Sequence, residues 1–206
     1  MKRNRVVGIV VVAFLLIALP ASFFYFFSSK VPPPPPAPHK FGPAPAFMLK
    51  HQDGGTLSND DLKGYIYVAD FFFTHCNSVC PKLSQLMNKM QESYKTEPRM
   101  RFVSFTIDPL RDSVPVLKAY ANQYGALSDK WYFLTGDAHY IRDTIAEKGF
   151  KVPVVPDGGT SDQFTHTDRF VLVDGAGQIR GYFNVMDPPQ TDSLYNMIER
   201  LLVEKR

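Results

Sequence analysis

Hydrophobic and polar positions divide the chain into three stretches. Val6 to Phe27 is apolar throughout, 22 residues without a charged side chain. As a helix rising about 1.5 Å per residue it would span roughly 33 Å, enough for a bilayer core. Residues 31–45 have no hydrophobic period and hold eight of the 17 prolines. Pro32 to Pro36 predicts a stiff polyproline II rod, a spacer between membrane and domain. Residues 46–206 alternate short apolar runs with amphipathic stretches, the pattern of one α/β domain.

Within that domain, Asp53-Gly54-Gly55 predicts a turn between short extended pieces. Tyr65 to Phe73 is a continuous apolar and aromatic run, as expected of a strand buried on both faces. Pro81 suits a helix's first turn, and that helix is expected to reach Lys95. Arg101 to Ile107 reads as a second strand, Val114 to Tyr124 as a helix ended by Gly125, and Trp131 to Leu134 as a short strand. Ala138 to Lys148 reads as a helix stopped by Gly149. Phe170 to Val173 and Gln178 to Asn184 flank Asp174-Gly175-Ala176-Gly177 as a hairpin, and Thr191 to Glu204 closes the chain as an amphipathic helix. The order β-α-β-α-β-α-β-β-α mixes parallel crossovers with a terminal hairpin. The expected fold is α/β, a central mixed sheet with helices on both faces.

Composition changes this picture in two places. A chain of 206 residues, 45% hydrophobic and 21% charged, is neither disordered nor a many-spanning membrane protein. The net charge of +3 is set by Lys2, Arg3, Arg5 and Lys30; of the totals of 23 basic and 20 acidic residues, residues 31–206 keep 19 and 20. A basic footprint for nucleic acid is therefore missing from the domain. Basic residues ahead of the span predict a cytoplasmic N-terminus and a domain outside, on the periplasmic or extracytoplasmic face of the inner membrane. A cleaved signal peptide is the rival reading, but Ala18-Leu19-Pro20-Ala21-Ser22 is a poor cleavage site and five aromatic residues follow it. Residues 1–30 are thus read as a basic stub with a retained anchor. The lack of an Arg- and Ser-rich leader points to a bacterial chain.

The two cysteines, Cys76 and Cys80, are too few to staple a domain that can bury its own core, so local redox or metal chemistry is expected. They lie between a strand and a helix start, where the macrodipole and free N–H groups favour a thiolate. Their four-residue offset can bring both sulfurs together across one helical turn, to close a disulfide or clamp one soft ion. Copper would be held better with a third donor, and imidazole suits it. His39, His51 and His139 read as solvated. His75 adjoins Cys76, but neighbours in extended chain point to opposite sides. His166 precedes a buried strand and from the pattern alone is as readily a surface histidine as a ligand.

The chain resembles the Sco/SenC family of copper-binding, thioredoxin-like proteins used in cytochrome c oxidase assembly. Asp70 to Pro81 is similar to that family's D-F-x-F-T-x-C-x-x-x-C-P, and Ser104 to Asp112 to its S-I-D-P-x-R-D, widened by Phe105-Thr106. Trp131 to Gly136 resembles W-x-x-L-T-G, and His166 to Gly177 resembles H-x-x-x-x-x-L-V-D-x-x-G. The resemblance covers nearly everything after the linker and implies copper, as Cu(I), Cu(II) or both, on Cys76, Cys80 and His166. Asn77 and Gly175 stand where the family often has proline.

Asp108, Arg111 and Asp112 read as a turn residue and a surface pair at a helix start, or else as a charged loop beside the copper site that orients it or meets the partner. Two functions compete. The first is a copper chaperone delivering to the copper-site domain of a membrane-bound cytochrome c oxidase. The second is a thiol–disulfide oxidoreductase acting on that site's cysteines. A thiol peroxidase is weaker, because only Thr74 and Arg111 hint at an activating setting.

Overall fold

A computed structural model describes residues 39–154 and 168–204, with Leu16, Ala18 and Pro20 of the N-terminal span. Those three are helical, and among the described residues no helix is long and apolar enough to cross a membrane. The chain forms two compact units, residues 1–37 and 38–206.

The second unit is built on one eight-stranded sheet. Its strands are β1 (Gly42–Pro43), β2 (Met48–His51), β3 (Thr56–Ser58), β4 (Ile66–Phe72), β5 (Met100–Thr106), β6 (Trp131–Thr135), β7 (Arg169–Val173) and β8 (Gln178–Asn184). The order is β1-β8-β7-β4-β5-β6-β2-β3. β4, β5 and β6 run parallel and every other pairing is antiparallel. All seven residues of β4 are buried, which is why this strand reads as an apolar run interrupted only by Asp70.

The helices are α1 (Cys80–Ser93), α2 (Val114–Gln123), the π-helical α3 (Tyr140–Phe150) and α4 (Pro188–Val203). Alternation along the strands sorts the core into two layers. Phe72 and Phe133 meet Tyr120 of α2 on one face. On that side Ser84 of α1 bonds Tyr120, and Tyr94, just past α1, stacks on Tyr195 of α4. On the opposite face Phe71 and Phe105 receive Phe150 of α3. Helices do cover both faces, as the pattern predicts.

Two boundaries differ from expectation. Gly42 and Pro43, inside the proline-rich stretch, already pair with Ile179 and Gln178, so the sheet begins before residue 46. Gly149 does not stop α3, which runs on to Phe150 and ends where Lys151 turns left-handed at φ 56°. A Cβ on Gly149 would come within 2.5 Å of the Pro45 ring. That glycine is there for close approach to the chain's entry segment rather than to break a helix. Continuing the helix seats Phe150, fully buried, on the aromatic layer.

The antiparallel registers decide what gathers at each end of the sheet. β4 pairs Ala69 with Val171, so the chain entering β7 at Asp168 and Arg169 lies at the end where β4 finishes. The same end holds the exit of β5, the start of α1 and the end of β8.

Candidate metal centre

The site grows from the exit of β4. After Phe73 the chain turns, with the Cys76 N–H donating to the Phe73 carbonyl at 3.3 Å. Cys80 opens α1, and Pro81 follows in the first turn where its missing N–H is harmless. Val79 occupies the cap position and supplies no side-chain acceptor. The Cys76 sulfur takes that role, accepting the Cys80 N–H at 3.3 Å. The four-residue offset is therefore not a helical turn. Cys76 lies in the loop, folded back onto the helix N-terminus.

This geometry separates the two thiols chemically. The Cys76 thiol is held down to about 4, first by a hydrogen bond from the Cys80 thiol, then by N–H groups of Ser78 and Cys80 and the Ser78 hydroxyl at 3.8 Å. Cys80 is pushed far up because its proton is shared with the Cys76 sulfur, and burial and the nearby Asp70 add to the effect. At neutral pH the pair is one thiolate and one thiol. Both cysteines are buried, 5% and 2% exposed.

Two carboxylates support this corner. Asp70, on β4, is fully enclosed and its acid is raised to about 7 by burial, against a hydrogen bond from Ser104. Asp112 is also fully buried, so the surface pair expected with Arg111 does not form. Its carboxylate accepts the Thr74 N–H at 3.1 Å, the Thr74 hydroxyl at 2.5 Å and the Thr106 hydroxyl. Arg111 instead pairs with Asp108 at 3.3 Å. Burial raises Asp112 above the usual carboxylate range in spite of its donors.

Of the sequence-predicted ligands, Cys76 and Cys80 come together and His166 lies outside the described residues. Asp168, two residues on, stands at the sheet end from which the cysteine loop leaves, with its carbonyl accepting the Val185 N–H at 3.0 Å. The His75 side chain is 60% exposed, 3.1 Å from the Thr74 hydroxyl and 4.0 Å from Asp112. Asp174 is the hairpin-turn residue, its Oδ1 accepting the Ala176 and Gln178 N–H groups. Sequence reasoning missed the part played by Asp70, for which an acid inside the apolar run Tyr65 to Phe73 was a visible signal. For Asp112, burial excludes the surface-pair reading and leaves that of a loop at the site, but nothing local signals its partners Thr74 and Thr106.

A model of the family described as SCO1/SenC matches residues 37–202. The chain belongs to the SCO1/SenC family. A curated SCO1 relative, "SCO1 protein homolog" of Bacillus subtilis (strain 168), is 36% identical over 148 residues, 71% of this chain and 76% of the relative. Among solved structures, BsSco, described as a member of the Sco family of cytochrome c oxidase assembly proteins with a disulfide switch, is 31% identical with a TM-score of 0.69. That match covers 82% of this chain and 99% of BsSco. Bradyrhizobium japonicum ScoI, solved with copper bound, shares the fold at 24% identity and a TM-score of 0.61, over 77% of this chain and 98% of ScoI. This SCO1/SenC chain accordingly has the family's mixed, thioredoxin-like α/β fold.

Proposed function

We propose that this protein is a membrane-anchored copper chaperone whose cargo is held by Cys76, Cys80 and His166 and handed to the copper-site domain of a cytochrome c oxidase. The observation that carries the reading is the thiolate of Cys76 lying against the Cys80 N–H and thiol at the start of α1. Two sulfurs, one already deprotonated, suit a soft ion such as Cu(I). The Cys80 proton must leave when the ion is bound, so affinity rises with pH. Support also comes from ScoI, which holds copper on this fold, and from BsSco as an oxidase assembly protein. The apolar span of residues 6–27 behind three basic residues supports an anchor in the inner membrane with the domain in the periplasm. The proline-rich segment is then a short tether.

The asymmetry of the thiols favours a second reading, a thiol–disulfide reductase. The Cys76 thiolate would attack a partner's disulfide to give a mixed disulfide. Cys80, losing its proton, would then displace the partner's second thiolate and close the Cys76–Cys80 bond. Two electrons pass to the partner. The disulfide switch named for BsSco supports this reading.

The test is anaerobic Cu(I) titration of the full chain in detergent, then mixing with an apo oxidase domain. Cys76→Ser and Cys80→Ser should each abolish tight Cu(I) binding, and His166→Ala should weaken Cu(II) more than Cu(I). Copper leaving with thiols still reduced identifies a chaperone. Reduction of the partner's disulfide with oxidation of Cys76 and Cys80 identifies the reductase. Full copper retention in either cysteine variant overturns the site.

A further inference from the structure

We propose that Asp112 is a positioning residue for the cysteine pair, acting through Thr74 without touching either sulfur. The inference rests on the reading of Cys76 and Cys80 as the metal and redox pair. Asp112 stands just before α2, 32 residues beyond Cys80, yet it binds the segment that leads into Cys76. Its carboxylate takes both donors of Thr74, the backbone N–H and the hydroxyl, which fixes backbone and side chain of that residue together.

The anchor is itself anchored. Asp112 also takes the Thr106 hydroxyl, at the end of β5. Thr106 in turn accepts the Asp108 N–H at 3.0 Å, and the Asp108 carbonyl accepts the Asp112 N–H at 2.9 Å. The ends of β4 and β5 and the start of α2 are thus tied at one buried carboxylate, through Thr74 inside the turn that the Cys76 N–H closes on Phe73.

All three donors are neutral groups. A buried carboxylate on neutral donors is a poor stabilising device, because hydroxyl and amide dipoles offset less of its desolvation than a buried charged partner would. What it provides is order. A free loop must lose conformational entropy when two sulfurs close on an ion or on each other, whereas a pinned loop has lost it on folding. Asp112 therefore acts on both reactions of the pair, metal capture and disulfide closure.

Asp112→Asn keeps the shape but presents one acceptor oxygen in place of two. In full-length protein kept below its unfolding range, Cu(I) affinity should fall about tenfold. The Cys76–Cys80 disulfide should become about tenfold easier to reduce, a rise of about 30 mV for a two-electron couple. Thr74→Val, which leaves Asp112 in place, should reproduce most of both effects and stands in if Asp112→Asn does not fold. The double variant should be no worse than Asp112→Asn alone, since both changes cut the same link. Asp174→Asn, a buried carboxylate at the other end of the sheet, should lower Tm and leave affinity and potential unchanged. Wild-type affinity and potential in Asp112→Asn, or strictly additive losses with Thr74→Val, overturns the proposal, as does an equal loss in Asp174→Asn. If the wild-type protein binds no copper, the copper reading fails while the potential still tests the positioning role.

Discussion

The two ends of the central sheet hold buried carboxylates under opposite terms. At the end where β7 turns into β8, Asp174 takes two backbone N–H groups and the Arg180 guanidinium at 2.6 Å, and Arg180 also reaches Glu204 at 3.3 Å. Charge meets charge there, joining the hairpin to Glu204, the residue just past α4. At the cysteine end, Asp70 and Asp112 are buried on hydroxyl and amide donors and both are raised as acids. The first arrangement holds the fold. The second encloses two acids on neutral donors at the sheet end from which the cysteine loop leaves, at the expense of stability, as expected of a corner shaped for chemistry.

The largest effect should come from breaking the paired end. Arg180→Ala strands Asp174 with a buried, uncompensated charge and should cost about 3–5 kcal/mol, read as the urea midpoint, with copper affinity unchanged. A loss below about 1 kcal/mol would mean the pair is not a structural clamp.

Relieving the cysteine end should act in the opposite direction. Asp70 keeps its proton to about 7 in the fold and only to about 4 when unfolded, so the folded state binds the extra proton between these values. This group's contribution to stability therefore falls as pH rises from about 4 to 7. Asp70→Asn should raise stability at pH 8 by on the order of 2 kcal/mol. Cys76 has the reverse sign: its depressed thiol contributes stability that is present above the unfolded thiol value and lost as pH falls toward about 4. Asp70→Asn removes one of the two opposing carboxyl contributions, so the slope of stability against pH between 4 and 7 should be more positive than in wild type. Urea titrations at a series of pH values give the slope. A variant less stable than wild type at pH 8 would assign Asp70 a stabilising role.

A smaller effect sharpens the picture of the thiolate. Alkylation of reduced protein should proceed at Cys76 with a rate that is nearly flat from pH 6 to 8, whereas an ordinary thiol gains about tenfold per pH unit there. Mass mapping of the modified residue decides between the cysteines. Smallest of all, Ser78→Ala removes one weak partner of the sulfur at 3.8 Å and should move the Cys76 titration up by a few tenths of a pH unit.

Much of this was legible along the chain because it depends on neighbours in sequence. Apolar runs located β4, β5, β7 and β8, and the Asp174 turn was marked by its own glycines. Pro81 marked the start of α1. The cysteine pair at a strand-to-helix junction carried the chemistry, and the motif from Asp70 to Pro81 carried the family. Local rules misread features whose cause is distant. Gly149 is a stop signal by propensity, and only the Pro45 ring against it reveals close packing. Gly42-Pro43 reads as linker until β8 supplies a partner. Asp112 has the composition of a surface helix start, and its burial comes from two threonines, 38 and 6 residues away. The sequence by itself determined the helices, the interior strands β4 to β8 and which two residues bear the reactive sulfur, since propensity, apolar runs and side-chain chemistry are local. Only the tertiary structure decided that Cys76 is the thiolate and Cys80 the thiol, and that two carboxylates are buried at the same end of the sheet. Those properties depend on desolvation and on hydrogen bonds between groups that the fold alone brings together.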